Sequence, residues 1–205
     1  MILENSFGKE MMMAKIQCMA KVTEVSVLAE GIVSMWLSAS GVAKSAKPGQ
    51  FISLYCDNSD TLLPRPISLC EVNQKDGLLR IVFRIVGAGT KEFAAKEKDD
   101  EIRILGPLGN GFPLDACEKD RTAVLIGGGI GIPPLLELAK QLPCKTTVVV
   151  GYRNADTFLR EELEEAADRV VIASDDGSIG IKGTVLDAME AEGVTGDCIF
   201  SQASN

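Results

Sequence analysis

Short apolar runs rich in β-branched residues alternate with turn sequences along the first half of the chain. Turns are expected at residues 47–50, Lys-Pro-Gly-Gln, and at residues 76–77, Asp-Gly, because proline and glycine favour the backbone angles of tight turns. Strands are expected at residues 16–27, 32–37, 51–56, 67–72, 78–86 and 102–105, with a single short helix at 91–98. Strands of this length and spacing predict a small antiparallel β-barrel.

The pattern changes after Pro113, where wholly apolar runs begin to alternate with helical stretches. Strands are expected at residues 123–126, 146–150, 170–173 and 198–200, and helices at 134–141, 159–167 and 183–192. Such alternation is typical of a parallel sheet covered on both faces, and therefore of an α/β domain. Charged residues cluster at 114–121 and mark the boundary. The expected organisation is an N-terminal extension at 1–12, a β-barrel domain at 13–114 and an α/β domain at 115–205.

Composition and charge narrow the classes of function. The 205 residues are 46% apolar, enough to bury two small cores, and carry a formal net charge of −8. Nucleic acid is held by an excess of clustered Lys and Arg, so no nucleic-acid partner is expected. No segment has the apolar length that spans a bilayer and the N-terminus lacks a secretory pattern, so we expect a cytoplasmic protein without membrane contact. Any cofactor phosphates would be held by backbone amides and a few local cations.

Histidine is absent, which removes the commonest general base and the commonest transition-metal ligand. The six cysteines, at positions 18, 56, 70, 117, 144 and 198, are too widely spaced for a zinc or iron–sulfur loop, and we expect most of them to be buried thiols. The sequence therefore predicts no catalytic side chain and no metal ligand, with the chemistry left to bound cofactors.

Two motifs in the predicted barrel suggest an anion site. Residues 65–68, Arg-Pro-Ile-Ser, place a cation and a hydroxyl at a strand start, where both could reach one pyrophosphate; a surface arginine beside an edge-guarding proline is the alternative. Residues 87–90, Gly-Ala-Gly-Thr, precede the helix expected from Lys91, with Thr90 as its N-cap, and exposed amides at a helix start attract phosphate. An ordinary capped turn is the alternative for this second motif.

A glycine-rich loop, Gly-Gly-Gly-Ile-Gly-Ile-Pro-Pro at residues 127–134, directly follows the apolar run 123–126. Open parallel sheets bind nucleotides at the carboxyl ends of their strands, which is where this loop would lie. It does not match the G-x-G-x-x-G fingerprint, because prolines stand where the third glycine is expected, although proline suits a first helical turn. The loop is interpreted as a pyrophosphate cradle of another type, with a purely structural tight turn as the alternative.

Taken in order, the motifs resemble those of a known family. R-P-x-S, G-x-G-T, G-P-L-G-N-G-F at 106–112, G-G-G-I-G-I-P-P and S-D-D-G-S-x-G-x-K-G at 174–183 are similar to the ferredoxin reductase-like superfamily, from about residue 13 to residue 200. More narrowly, they resemble the electron-transfer subunits of bacterial NAD-dependent (class 1B) dihydroorotate dehydrogenases. The resemblance implies a flavin-binding β-barrel followed by a parallel-sheet, nicotinamide-nucleotide-binding α/β domain.

The resemblance also implies which residues hold each cofactor. FAD would be held by Arg65, Pro66, Ile67, Ser68, Val82, Phe83, Arg84, Gly89 and Thr90. NAD would be held by Gly127, Gly128, Gly129, Ile130, Gly131, Pro133, Ser174, Asp175 and Asp176. The two neighbouring carboxylates would repel a 2′-phosphate, so NAD is expected over NADP. A hydride that passes directly between nicotinamide and flavin needs no protein acid or base, which accounts for the missing histidine.

In such subunits, electrons arrive from the FMN of a dihydroorotate dehydrogenase catalytic subunit, cross a [2Fe-2S] cluster and FAD, and reduce NAD in pyrimidine biosynthesis, within a heterotetramer. The family carries Cys-Gly-Pro and four cluster cysteines beyond its last sheet strand, whereas here residues 201–205 follow the strand at Cys198 without them. We expect a C-terminally truncated form with an incomplete α/β domain and no [2Fe-2S] domain; a naturally shortened relative is the alternative. Two other functions stay open: a reductase subunit of another complex, such as a hydrogenase or a glutamate synthase, and a flavin-free interaction module.

Overall fold

The structure is a computed structural model that describes residues 15–57 and 63–202. Its first part contains β1 (Ile16–Ala29), β2 (Ile32–Ser38), α1 (Ser40–Ala43), β3 (Phe51–Leu54), β4 (Arg65–Asn73), β5 (Leu78–Arg84), α2 (Ala88–Ala94) and β6 (Glu101–Leu108). The strands are antiparallel and form a closed barrel in the order β1-β2-β5-β4-β3-β6. Pairing of β1 with β6, from Ile16 opposite Gly106 onward, closes the barrel.

Glycines at the expected turns and apolar strand faces explain why this part closes. Gly49 and Gly77 have φ of +80° and +71°, angles that residues with a side chain rarely adopt. Inside the barrel, Ile52 and Phe83 are fully buried. The ring of Phe83 contacts Phe93 of α2 edge to face, with centroids 6.5 Å apart. Helix α2 is thereby packed on the barrel.

The second part is a parallel sheet covered by helices. Its elements are β7 (Thr122–Gly128), α3 (Pro133–Gln141), β8 (Lys145–Tyr152), α4 (Arg160–Ala166), β9 (Arg169–Ser174), β10 (Ile181–Lys182), α5 (Val185–Ala191) and β11 (Cys198–Gln202). The strand order is β10-β9-β8-β7-β11 and all pairs are parallel. Successive residues of β7 point to opposite faces: Leu125 packs in the core that contains α3 and α4, and Val124 in the core that contains α5.

A continuous apolar core joins the barrel to the sheet. Ile32 and Val82 of the barrel belong to the same buried cluster as Leu135 of α3 and Phe158, which precedes α4. The connecting segment between β6 and β7 includes the boundary expected at 114–121. Its Phe112 packs edge to face on Phe200 of β11, with centroids 5.9 Å apart. The two parts are therefore in direct contact over a buried surface.

The expected fold class, an antiparallel barrel followed by a parallel α/β sheet, is confirmed. The expectation of a single helix in the barrel is wrong, because α1 is also present. Its Gly41 and Val42 are weak helix formers, and burial of Val42 and Ala43 sustains the turn instead. Strand β10 was also not expected, since two residues are too few to show a periodicity.

The cysteines are free thiols in the structure. Cys56, Cys70 and Cys117 are buried and the other three are partly exposed, so half of the cysteines are buried where most were expected to be. Cys198 lies at the start of β11, where its Sγ donates a hydrogen bond to the carbonyl of Ala116 at 3.1 Å. No helix within the described ranges is long and apolar enough to cross a membrane. The N-terminal extension expected at 1–12 lies outside the described residues.

Candidate cofactor-binding site

A cavity of about 930 Å³ lies between the barrel and the carboxyl edge of the parallel sheet. Its volume is in the range of small-molecule and cofactor sites, about 300–1,000 Å³. Twelve of the residues expected at the two cofactors line it: Arg65, Pro66, Ile67, Ser68, Val82, Phe83, Arg84, Thr90, Gly128, Gly129, Ile130 and Asp175. Motifs from both halves of the chain thus meet in one space. The other six expected residues, Gly89, Gly127, Gly131, Pro133, Ser174 and Asp176, are not among the residues that line it.

Arg65 and Gly89 are in direct contact, which joins the two barrel motifs into one site. Arg65 begins β4, and its Nη1 donates to the carbonyl of Leu63 at 2.5 Å. A Cβ built on Gly89 would lie 3.1 Å from Nε of Arg65 and 3.0 Å from Sγ of Cys56. A side chain here would press on the guanidinium and on a buried thiol, so glycine leaves room for both. The start of β4 and the start of α2 therefore form one wall.

Strands β4 and β5 diverge at the cavity. Their residue pairing ends with Leu69 opposite Ile81, although both strands continue. Beyond that point, residues 65–68 pair only with β3, and residues 82–84 pair only with β2. The diverging strands leave a slot between Ser68 and Val82, with strand edges on both sides. Backbone edges that face a cavity can donate to and accept from the heteroatoms of a planar ring.

Thr90 shapes the turn instead of capping its helix. Helix α2 begins at Ala88 with Gly87 as N-cap, so the expected N-cap role of Thr90 is wrong. Its Oγ1 accepts from the amides of Val86 at 2.9 Å and Gly87 at 3.1 Å, and donates to the carbonyl of Gly87 at 3.1 Å. A threonine within a first turn can bond back to the preceding residues, which is why the helix starts earlier than the sequence indicates.

The glycine-rich loop divides into a packing part and a lining part. A Cβ on Gly127 would lie 2.7 Å from Cδ1 of the buried Leu135, so this glycine lets α3 pack against the end of β7. Gly131 is also buried, and Pro133 stands in the first turn of α3, as expected. Gly128, Gly129 and Ile130 form the cavity wall. Only the middle of the loop is therefore available to a ligand.

Of the three expected residues at the end of β9 and just after it, only Asp175 lines the cavity. Ser174 is fully buried, and its Oγ donates to the carbonyl of Ile179 at 2.5 Å, which closes the loop behind it. The carboxylate of Asp176 accepts from the amide of Ser178 at 2.9 Å and from its hydroxyl at 2.6 Å. The Ser178 hydroxyl holds the pKa of Asp176 below its ordinary value, because the bond favours the charged form. Asp176 thus stabilises its own loop.

Several of the lining residues were not expected from the sequence. Six lie at the end of β8 or soon after it: Gly151, Tyr152, Arg153, Asn154, Asp156 and Phe158. Glu30 and Thr184 come from other segments. The signal was available, because β8 neighbours β7 and the carboxyl ends of parallel strands share one edge. Tyr152 donates to the carbonyl of Phe158 at 2.8 Å, and burial raises its pKa, so it remains a neutral phenol.

Comparison with known proteins places the chain among electron transfer subunits. No family model matches it. It is 41% identical over 179 residues to the dihydroorotate dehydrogenase B (NAD(+)) electron transfer subunit of Geobacillus kaustophilus, covering 85% of this chain and 70% of that protein. The same-named subunit of Fusobacterium nucleatum is 35% identical, covering 85% of this chain and 69% of that protein.

A solved structure supports the same placement. In a study of flavin-based electron bifurcation, the NADH-dependent reduced ferredoxin-NADP oxidoreductase superposes on this chain with a TM-score of 0.79 at 28% identity. The superposition covers 91% of this chain and 68% of that one. Both the barrel and the parallel sheet are therefore shared with that protein.

Proposed function

This chain belongs to the family of dihydroorotate dehydrogenase B (NAD(+)) electron transfer subunits, and from that membership we propose that it binds FAD and passes electrons from a dihydroorotate dehydrogenase catalytic subunit to NAD. One observation carries the proposal. The motif at 65–68 and the loop at 128–130, which the sequence assigns to different nucleotides, line the same cavity. Two cofactors bound there would have their reactive rings close together.

FAD is assigned to the barrel wall. The slot between Ser68 and Val82 has unpaired strand edges on both sides, which could bond to the heteroatoms of a flat ring system. Arg65, in contact with Gly89, supplies the cation for the pyrophosphate. In this arrangement Gly89 acts by keeping Arg65 in place, and Thr90 by holding the turn.

NAD is assigned to the sheet wall. Gly128 and Gly129 present backbone without side chains at the end of β7, where a pyrophosphate can approach closely. Asp175 lies at the end of β9 on the same edge and supplies the negative charge that disfavours a 2′-phosphate. Asp176, whose carboxylate is engaged by Ser178, contributes little to this choice.

The protein's own task is to bind, orient and exclude water. FAD, when bound, supplies the redox chemistry by exchanging a hydride directly with nicotinamide, so no protein acid or base is needed. Tyr152 and Phe158 pack edge to face with centroids 5.7 Å apart and form an apolar part of the lining. Their packing keeps this side of the cavity rigid.

The assembly is a finer part of the proposal. The catalytic subunit would carry FMN, the subunits would form a heterotetramer, and a [2Fe-2S] cluster is the third cofactor that such an assembly would contain. Among residues 15–57 and 63–202, no group of three or more Cys, Asp or Glu side chains is placed to hold a metal ion. The described residues thus do not fit the cluster, and we derive no step through it.

Titration of the purified chain with FAD tests the proposal, with flavin absorbance and fluorescence as readouts. The double variant Arg65→Ala/Ser68→Ala should weaken FAD binding at least about tenfold, since hydrogen bonds to charged groups contribute about 1.5–3 kcal/mol. The matched control is Arg103→Ala, because Arg103 lies on β6 and stacks on Tyr55, 4.6 Å from the ring centroid. A wild-type chain that binds no FAD, or a double variant that binds as well as the control, would refute the proposal.

A second candidate is a reductase subunit that serves another partner. The 28% identity to a ferredoxin-NADP oxidoreductase over most of the chain favours it. Co-purification distinguishes the two candidates: a dihydroorotate dehydrogenase catalytic subunit that elutes with this chain supports the first, and retention of a different redox protein in its place supports the second.

A further inference from the structure

A group of charged side chains lies where the barrel meets α3 and α4, and none of them lines the cofactor cavity. It consists of Glu71, Arg80, Lys140 and Glu162, which we call the junction cluster. The side chain of Arg80 is only 9% exposed; it donates to Glu71 at 2.6 Å and to the two carboxylate oxygens of Glu162 at 2.5 and 3.2 Å. Lys140 donates to the other oxygen of Glu71. Each member comes from a different element: β4, β5, α3 and α4.

Further contacts anchor the cluster on both sides. Nε of Arg80 donates to Oγ of Ser34 on β2 at 2.9 Å, so the guanidinium is fixed to the barrel. The amide of Val72 on β4 donates to Oε2 of Glu137 on α3 at 2.9 Å, and Glu137 is 6% exposed. Directional bonds therefore connect β4 to α3 and β5 to α4.

The apolar contact at the junction cannot by itself define an angle. Ile32 and Val82 against Leu135 supply adhesion, but burial of apolar area is non-directional. A guanidinium fork shared by two carboxylates, in contrast, is satisfied in one geometry. Arg80 and Glu71 are largely removed from water, which opposes their attraction, while Lys140 and Glu162 are partly exposed, so the cluster is a weak source of adhesion. Its distinctive contribution is orientation.

The elements that the cluster connects are those that carry the cavity walls. Strand β4 begins with Arg65 and β5 ends with Arg84, while α3 follows directly on the loop at 127–131. We infer that Arg80 is a positioning residue: its two hydrogen bonds to Glu162 set the angle between the barrel and the sheet, and thereby the separation of the two cavity walls. The consequence for electron transfer rests on the proposed function; the consequence for geometry does not.

The test compares Glu162→Gln with Glu164→Gln. Both residues lie on α4, but among the described residues Glu164 pairs only with the exposed Arg160, at 2.8 Å. In the unliganded chain, Glu162→Gln should speed backbone hydrogen exchange about tenfold in α4 and in residues 127–131, with β1 and β6 unchanged. In the FAD-loaded chain, reduction of the flavin by saturating NADH should slow about tenfold, while FAD affinity stays within about twofold. Arg80→Lys, which keeps the charge but loses the fork, should act in the same direction.

Three results would overturn the inference. Exchange in Glu162→Gln that equals exchange in Glu164→Gln removes the geometric claim. A slower reduction that merely follows a parallel loss of FAD affinity and melting temperature shows a structural role only. Normal reduction in both Glu162→Gln and Arg80→Lys removes the functional claim. A wild-type chain that binds no FAD refutes the proposed function instead, and the exchange experiment then decides the geometric claim alone.

Discussion

Replacement of Gly89 by alanine should weaken FAD binding through Arg65 without unfolding the chain. The new Cβ would lie 3.0 Å from Sγ of Cys56 and 3.1 Å from Nε of Arg65, compared with 3.4–4 Å for an ordinary contact. One neighbour must withdraw by a few tenths of an ångström. Cys56 is short and buried, whereas Arg65 is partly exposed and ends in a flexible group. We therefore expect the guanidinium to move.

The two consequences of this substitution differ in size. Alanine gains about 0.8–1 kcal/mol over glycine inside a helix, and overpacking costs about 1–3 kcal/mol, so the net loss of stability is about 0–2 kcal/mol. A charge-assisted hydrogen bond contributes about 1.5–3 kcal/mol, and losing one at the lower end of that range corresponds to about tenfold in affinity. Gly89→Ala should thus remain folded and bind FAD about tenfold more weakly.

Gly87→Ala is the matched control within the same turn. Gly87 is extended, with φ of −169°, and a Cβ built on it meets nothing within 4 Å. This variant should bind FAD like the wild type and lose at most about 1 kcal/mol of stability, because alanine is a poorer N-cap than glycine. FAD titration and thermal melting of both variants measure the difference. Unchanged affinity in Gly89→Ala, or an equal loss in the two variants, would show that displacement of Arg65 is not the cause.

Three further predictions rest on single contacts. Burial alone would raise the pKa of Glu71, but hydrogen bonds from its lysine and arginine partners outweigh it and hold the pKa below 4.5. Stability should therefore fall as pH drops below about 4.5, and urea midpoints should fall more steeply for the wild type than for Glu71→Gln. Asp175→Asn should raise affinity for NADP relative to NAD roughly five- to tenfold in binding titrations, and Asp176→Asn should change it little. Gly180→Ala, with φ of +60° and a Cβ only 2.1 Å from the carbonyl oxygen of Ile172, should lose about 2–4 kcal/mol in chemical denaturation.

The sequence predicts the strands and helices well wherever an apolar run or a turn glycine marks them. The strands of the parallel sheet are apolar on both faces, and turn glycines such as Gly49 and Gly77 separate the barrel strands. What it misses has no local signal. Helix α1 is sustained by burial of Val42 and Ala43, and the contact of Arg80 with Glu162 joins residues 82 positions apart. Helix α1 and this contact both depend on tertiary packing, which a local stretch of sequence does not reveal.

Glycine and aspartate motifs identify the site but not the role of each member. Gly127 leaves room for the side chain of Leu135, whereas Gly129 lines the cavity. A sequence cannot separate these roles, because packing and ligand approach impose the same steric demand. Asp175 and Asp176 differ for a local reason that the sequence does contain. An aspartate two residues before a serine tends to bond to that residue's amide, which turns its carboxylate into the loop.

Charge illustrates how a global property constrains a local one. In a chain with a formal charge of −8, phosphate groups need specific cations near them. The lining includes Arg65, Arg84 and Arg153, along with Glu30, Asp156 and Asp175, so the lining is locally neutral in an acidic protein. One of those carboxylates is already engaged, since Asp156 accepts from the amide of Glu30 at 3.1 Å. The cavity therefore repels anions less than the chain's net charge of −8 suggests, and its three arginines can supply the cations that phosphate groups need.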